Sequence, residues 1–261
     1  MKYLRYYLKI FKMSLMNLMI NRENFFTWVI VHTLSLLSLF AFFKLIYQQV
    51  VTINGWTQYQ SLLVLGVGTL ITGLGSMTFF SFMYQFSLDL QNGDYDFKLT
   101  KPLDPHFLAA FPWVDTEDLA VVPNSLILII YALRNLATPI SIINVLVFCV
   151  MIISSLIILF SVLTLLQSLA FKAVKIESMT NLFWSLVNTG KYPTKSIKNI
   201  SVLATVTLMP IAIISTVPSE VLFGRFELPW IAASMILSLT LLILSRRVFM
   251  SALKHYSSAS S

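Results

Sequence analysis

The stretch Ile140-SIINVLVFCVMIISSLIILFSVLTLLQSLAF, ending at Phe171, contains no Asp, Glu, Lys or Arg. A bilayer's hydrocarbon core is about 30 Å thick, so roughly 20 apolar residues in a helix cross it. This run is longer than that, enough to tilt or to project as helix beyond the bilayer. The rest of the chain shares its character: of 261 residues 57% are hydrophobic and only 11% charged, with mean hydropathy +0.81. Soluble domains are usually about 25% charged. Too few charges remain to cover a water-facing surface, so lipid is the natural solvent. The length allows about six spans with modest loops and no separate soluble domain.

Outward from this run, apolar segments recur at about Phe25–Phe43, Ser61–Met83, Leu119–Leu133, Ile200–Val217 and Leu228–Ser245. The Leu119–Leu133 run is the shortest. The tight Arg134–Pro139 connection makes it a helical hairpin with the run just quoted. The pattern predicts an all-α integral membrane protein, a single transmembrane domain over 1–261 with a six-span bundle at 25–249. Before it, Lys2, Arg5, Lys9 and Lys12 share one helical face, while Leu4, Leu8, Phe11, Leu15 and Leu18 share another. Segment 1–24 therefore reads as an amphipathic helix lying in the interface with its basic face toward anionic headgroups. The other reading is an ordinary basic flank.

Orientation follows from the Lys and Arg distribution, because basic residues are retained on the cytoplasmic side. With the N-terminus inside, fifteen of the eighteen fall in cytoplasmic segments, leaving only Lys44, Arg134 and Arg225 outside. Both termini are expected in the cytoplasm, the tail being 250–261. The formal net charge of +7 is spread over these connections, which favours a membrane surface over nucleic acid. The sole cysteine, Cys149, lies inside an apolar run, excluding an internal disulfide framework and a Cys-based metal site. No cleavable signal peptide is expected, since no small-residue cleavage site follows the basic start.

None of the six apolar runs contains Asp or Glu. Proton-coupled porters generally need intramembrane ionisable groups, so that class is disfavoured, as is an intramembrane aspartyl protease; backbone carbonyls could still bind Na⁺. His32, the only His in a span, reads as a packed or water-facing polar group. Gly66, Gly68, Gly73 and Gly75 lack the strand and the Gly-Lys-Ser/Thr ending of a nucleotide loop; close helix packing explains them better. Ser154, Ser155, Ser161 and Thr164 are read the same way, with a polar path as the alternative. Gly-x-Ser-x-Gly and His-Glu-x-x-His are absent. No catalytic residue, metal site or bound cofactor is expected on the chain.

Two connections stand out. The cytoplasmic segment 84–118 starts with a helical continuation, Tyr84-QFSLDLQNG, followed by Asp94-YDFKLTKPLDPHFLAAF. Gly93 can end a helix, and Pro102 and Pro105 enforce an irregular course. Phe97, Leu99, Leu103, Phe107 and Phe111 are too apolar for a freely solvated loop and call for a groove, on this protein or on a partner. On the outer side, Pro210, Pro218 and Pro229 interrupt Met209-PIAIISTVPSEVLFGRFELP. That reads as a broken or re-entrant element, or else as one kinked span and a loop.

Gly93-DYDFKLTKPLDPHF resembles the Gly-x-x-Asp-x-x-Leu-x-x-Pro-Leu-x-Pro-x-Phe pattern of ABC type 2 permeases, through Gly93, Asp96, Leu99, Pro102, Leu103, Pro105 and Phe107. Phe183-WSLVNTGKYPTKSI resembles the family's aromatic segment ending in a basic residue and Tyr-Pro, here Tyr192 and Pro193. Met209-PIAIISTVPSEVLFG is similar to its outer element, through Pro210, Ala212, Pro218 and Gly224. The resemblance covers nearly the whole chain in order. It implies the membrane subunit of a bacterial ABC exporter in the cytoplasmic (inner) membrane, paired with a second copy or a sister permease. It also implies a separate ABC ATPase carrying ATP and Mg, docked by a coupling helix within 84–118. The partner-binding residues would be Gly93, Asp94, Tyr95, Asp96, Leu99, Pro102, Leu103, Pro105 and Phe107. A membrane scaffold recruiting soluble proteins through the same loops is the alternative. Drugs, lipids and peptides all remain possible substrates.

Overall fold

A computed structural model of the chain describes residues 2–53, 55–136, 141–171, 177–189, 213–225 and 227–256. The described residues are helical throughout, with connecting turns and no strand. Helix α1 (Lys2–Ile20) is followed by α2 (Arg22–Gln49) and α3 (Gln58–Asn92). Two short helices come next, α4 (Asp94–Leu99) and α5 (Pro105–Ala110). They lead into α6 (Glu117–Leu136) and α7 (Ile142–Ala170). The described chain closes with α8 (Glu177–Thr189), α9 (Ile213–Leu222) and α10 (Leu228–Leu253). Five of these, α2, α3, α6, α7 and α10, are long and apolar enough to cross a membrane. This is an all-α membrane protein. Of the expected fifth span, Ile200–Val217, only 213–217 are described, as the start of α9.

Helix α3 is the central one: 72% of its apolar window is buried inside the protein, against 6% for α2. Its glycines explain how. A Cβ on Gly66 would come within 2.9 Å of Ile129 Cγ1, and one on Gly73 within 2.6 Å of Val121 Cγ1. The two positions, seven residues apart, lie on one face and let the α6 backbone approach closely, as small residues do between membrane helices. A π-helical turn at Ser76–Phe80 interrupts α3 without ending it. Helix α10 packs along α7 and α3 along α6.

Of the three prolines expected to interrupt 209–229, Pro218 does not break the helix that holds it, and Pro210 lies outside the described residues. Pro218 is buried inside α9. Proline has no N–H to offer the carbonyl four residues back, and that carbonyl, of Ile214, instead accepts the Ser155 hydroxyl from α7 at 2.7 Å. A side chain on a neighbouring helix thus satisfies the freed backbone group, the usual way proline is tolerated in membrane helices. Helix α9 ends in a Schellman arrangement at Gly224 (φ +85°), with Arg225 N–H donating to Glu220 O at 2.9 Å and Gly224 N–H to Val221 O at 3.2 Å. Pro229 stands in the first turn of α10, where its missing N–H costs nothing.

Helix α6 starts earlier than the apolar pattern indicated, taking Glu117 and Asp118 into its first turn. Acidic side chains are favoured there by the helix dipole. The apolar runs themselves hold no acid, but the helices extend beyond them and take in Glu23 at the start of α2, Asp89 near the end of α3, and Glu117 and Asp118 here.

Candidate coupling surface and polar cavity

Helix α3 runs past the bilayer-length apolar segment and stops at Gly93, whose φ of +78° is open to glycine at little cost. The turn throws α4 back so that Tyr95 inserts into the protein. Tyr95 is 0% exposed and its ring meets Phe86 at 5.1 Å, Tyr256 at 5.9 Å and Phe171 at 6.2 Å. Its hydroxyl donates to Pro105 O at 3.3 Å. Burial, with Asp104 nearby, raises its pKa well above the usual phenol range. Lys98 pairs with the buried Asp89 of α3, which also accepts the Gln85 amide at 2.7 Å.

Helix α5 is fixed just as firmly. Asp104 is its N-cap, Oδ1 accepting Phe107 N–H at 3.0 Å, and Pro105 occupies the first turn. The other carboxylate oxygen accepts Arg246 Nη2 of α10 at 2.6 Å. Burial alone would raise this carboxyl; the Phe107 N–H and the Arg246 guanidinium outweigh it and hold the pKa below the usual range. Next to it, His106 Nε2 lies 3.2 Å from Thr164 Oγ1 of α7, and its ring packs 4.6 Å from that of Phe249. Burial pushes the His106 pKa down to about 4, so the ring is neutral at physiological pH.

The N-terminal helix lies against this same loop. Tyr3 and Tyr6 meet Phe107 edge-on at 4.9 and 5.9 Å, and Tyr7 meets Phe111 at 5.7 Å. Such aromatic pairs contribute about 0.5–1.5 kcal/mol each beyond burial. Burial raises the pKa of Tyr6 and of Tyr7. Lys2, Arg5, Tyr6 and Lys9 face Pro102 and Leu103 across a shallow groove.

The residues expected to form a partner surface therefore divide. Gly93 and Tyr95 are buried, and Phe107 and Leu103 lean on α1. Asp96 and Pro105 are half-buried. Asp94, Leu99 (37% exposed) and Pro102 face outward, together with Phe97, whose ring is the most open at 72%. Tyr192, Pro193 and Pro210 lie outside the described residues; Pro218 is buried in α9, and Gly224 is exposed in its C-terminal turn.

A second polar feature was not foreseen in the sequence. Asp118 Oδ1 stands 2.9 Å from His32 Nε2 of α2, while Ser76 of α3 donates to Oδ2. Asn124 donates to Thr33 Oγ1 at 2.9 Å and Glu117 accepts from Asn24. His32, Ser35, Ser76, Asp118 and Asn124 border a cavity of about 170 Å³ between α2, α3, α6 and Trp184 of α8. Just before α6, Asp115 has its pKa raised to about 6 by burial and by the charge of Asp118. The available signal was the pair of acids abutting the third apolar run, with His32 and Ser76 in the two others. Chain separation hid the pairing.

Among the described residues no group of His, Cys, Asp and Glu could hold a metal ion. No curated protein and no solved structure matches the chain. The family model described as ABC-2 family transporter protein matches residues 30–260. With five candidate spans, a glycine-terminated central helix and an anchored loop between α3 and α6, the chain belongs to the ABC-2 transporter family and is a membrane component of an ABC transporter.

Proposed function

We propose that the chain is the permease subunit of an ATP-driven exporter. It forms the substrate pathway with a second copy or a sister permease and takes energy from a separate ABC ATPase in the cytoplasm. In this reading the bundle has six spans, the sixth supplied by the segment that includes 200–217, and both termini are cytoplasmic. The membrane is the bacterial cytoplasmic membrane.

The observation that carries the reading is the state of the loop between α3 and α6. Its rear is locked to the bundle through Tyr95, Asp104 and His106, yet it presents Phe97 and Leu99 outward. A solvated loop has no reason to hold a large apolar side chain in the open on a rigid support; a docking cleft does. A rigid support also transmits force. Displacement of α5 must be felt by α7 through Thr164 and by α10 through Arg246. ATP binding on the partner, with its Mg, would then re-orient the α7–α10 pair against α3 and α6.

Co-expression with a candidate soluble ABC ATPase, sought among the neighbouring genes, tests this. The two are expected to purify together from detergent, and the permease is expected to change the ATPase's hydrolysis rate. Absence of both would defeat the reading. It would leave a scaffold role, which family membership disfavours.

A further inference from the structure

Helix α3 changes partners along its length, and its irregular turn stands at the change. The first half, Gln58–Gly75, is held to α6, with Gly66 against Ile129 and Gly73 against Val121. The second half, Ser81–Asn92, is held instead to α7 and α10. Gln167 Nε2 of α7 donates to Met83 O at 3.2 Å, and the Phe86 ring meets Phe171 at 5.2 Å and Phe249 of α10 at 5.5 Å. Asp89, paired with Lys98, ties α4 to this second half. Between the halves, Ser76–Phe80 is wound as a π-turn. Such a turn bonds N–H groups to carbonyls five residues back and so houses one extra residue. The sequence provides for it locally: Phe80 Cε1 lies 2.9 Å from where a Gly75 Cβ would stand, so glycine there lets the ring fold back. Carbonyls at the turn also accept donors from outside the backbone ladder. Leu74 O accepts the Thr78 hydroxyl at 2.7 Å, and Met77 O accepts Asp115 N–H at 2.9 Å. Just beyond the turn, the Ser81 hydroxyl donates to Trp113 O at 3.1 Å.

We propose that Ser76–Phe80 is a hinge. The second half of α3 pivots there as one body with α4, α5 and the adjoining ends of α7 and α10, against the pair formed by the first half of α3 and α6. A helix interrupted by a π-turn bends at lower cost than a continuous one, because donors outside its ladder already serve its carbonyls. The Asp115 contact marks the pivot, since it joins the turn to the chain that leads into α6. Helix α5 belongs to the moving body through His106–Thr164 and Asp104–Arg246. The hinge stands whether or not the chain works with an ATPase.

The test is the distribution of distances between nitroxide labels on the full chain in nanodiscs, by double electron–electron resonance, with Cys149→Ser removing the native thiol. One pair, at Leu88 and Ile127, spans the turn; the control pair, at Leu45 and Ile127, does not. All three positions are exposed, and α2 is joined to α6 by Asn124–Thr33 and Phe40–Tyr131. The Leu88–Ile127 distribution is expected to be about twofold wider than the control. Deletion of Thr78 takes out the extra residue and leaves both flanks in register. It is expected to narrow the distribution to the control width. If that variant does not fold, Ser81→Ala decides: it frees the second half from Trp113 and is expected to widen the distribution further. The readout needs no ATPase, so failure of the proposed function would leave it intact. A wild-type Leu88–Ile127 distribution no wider than the control would overturn the proposal. So would a folded deletion variant as wide as wild type, or wild-type width in Ser81→Ala.

Discussion

Asp104 and Arg246 stand 142 residues apart in sequence and meet at 2.6 Å, joining the loop helix α5 to the end of α10. The same carboxylate caps α5 through its other oxygen. Asp104→Asn should keep the cap and lose the ion pair. Because Arg246 is more than half exposed, a double-mutant cycle with Arg246→Gln is expected to give only about 0.5–1 kcal/mol in thermal unfolding. The effect on coupling should exceed the effect on stability: ATPase binding retained, stimulation reduced. The depressed Asp104 pKa adds stability that is present above about pH 4 and lost as acid titrates the folded carboxyl.

His106 is held neutral, with its pKa near 4 rather than 6.5. The unfolded chain binds the extra proton between those values, so the group's contribution to stability is full above pH 6.5 and falls as pH drops toward 4. His106→Gln should remove that slope, a difference on the order of 3 kcal/mol across the window. Melting curves of both proteins at pH 4.5 and 7.5 check it.

Asp115 has the opposite sign. Its raised pKa of about 6 means the folded protein loses stability as pH climbs from about 4 to 6 and the buried carboxyl ionises. Asp115→Asn retains an acceptor for Glu117 N–H and should be more stable than wild type at pH 7.5, by roughly 2 kcal/mol, and indistinguishable from it at pH 4. A variant equally stable at both pH values would show that the carboxyl is not strained.

Ser155 and Pro218 form a compensating pair. Ser155→Ala leaves the Ile214 carbonyl unsatisfied and should cost about 1–3 kcal/mol. Pro218→Ala restores an N–H to that carbonyl and should largely reverse the loss. Additive effects of the two substitutions would count against this pairing.

The sequence made the spans legible because a bilayer imposes one demand, continuous apolarity, that needs no partner to be seen. The end of α3 at Gly93 was visible for a local reason, a glycine after a helical pattern. Pairings across the chain were not visible. Ser155 read as packing or a polar path, and only its distance to Ile214 shows that it answers Pro218. Phe107 read as a partner contact, but Tyr3 and Tyr6 of α1 already cover it in part. Asp118 looked like a flank residue because the polarity of two acids masked the first turn of α6.

In the proposed function, energy enters through the outward face of the α3–α6 loop. The most direct measurement compares Phe97→Asp with wild type for ATPase co-purification and stimulated hydrolysis. Phe97 is the substitution of choice because it is the most exposed apolar residue of the loop, whereas Leu103 borders the α1 groove and its loss would disturb both. An unchanged melting temperature, loss of most of the co-purified ATPase, and loss of stimulation are expected. A Phe97→Asp protein that binds and stimulates the ATPase as wild type does would contradict that reading.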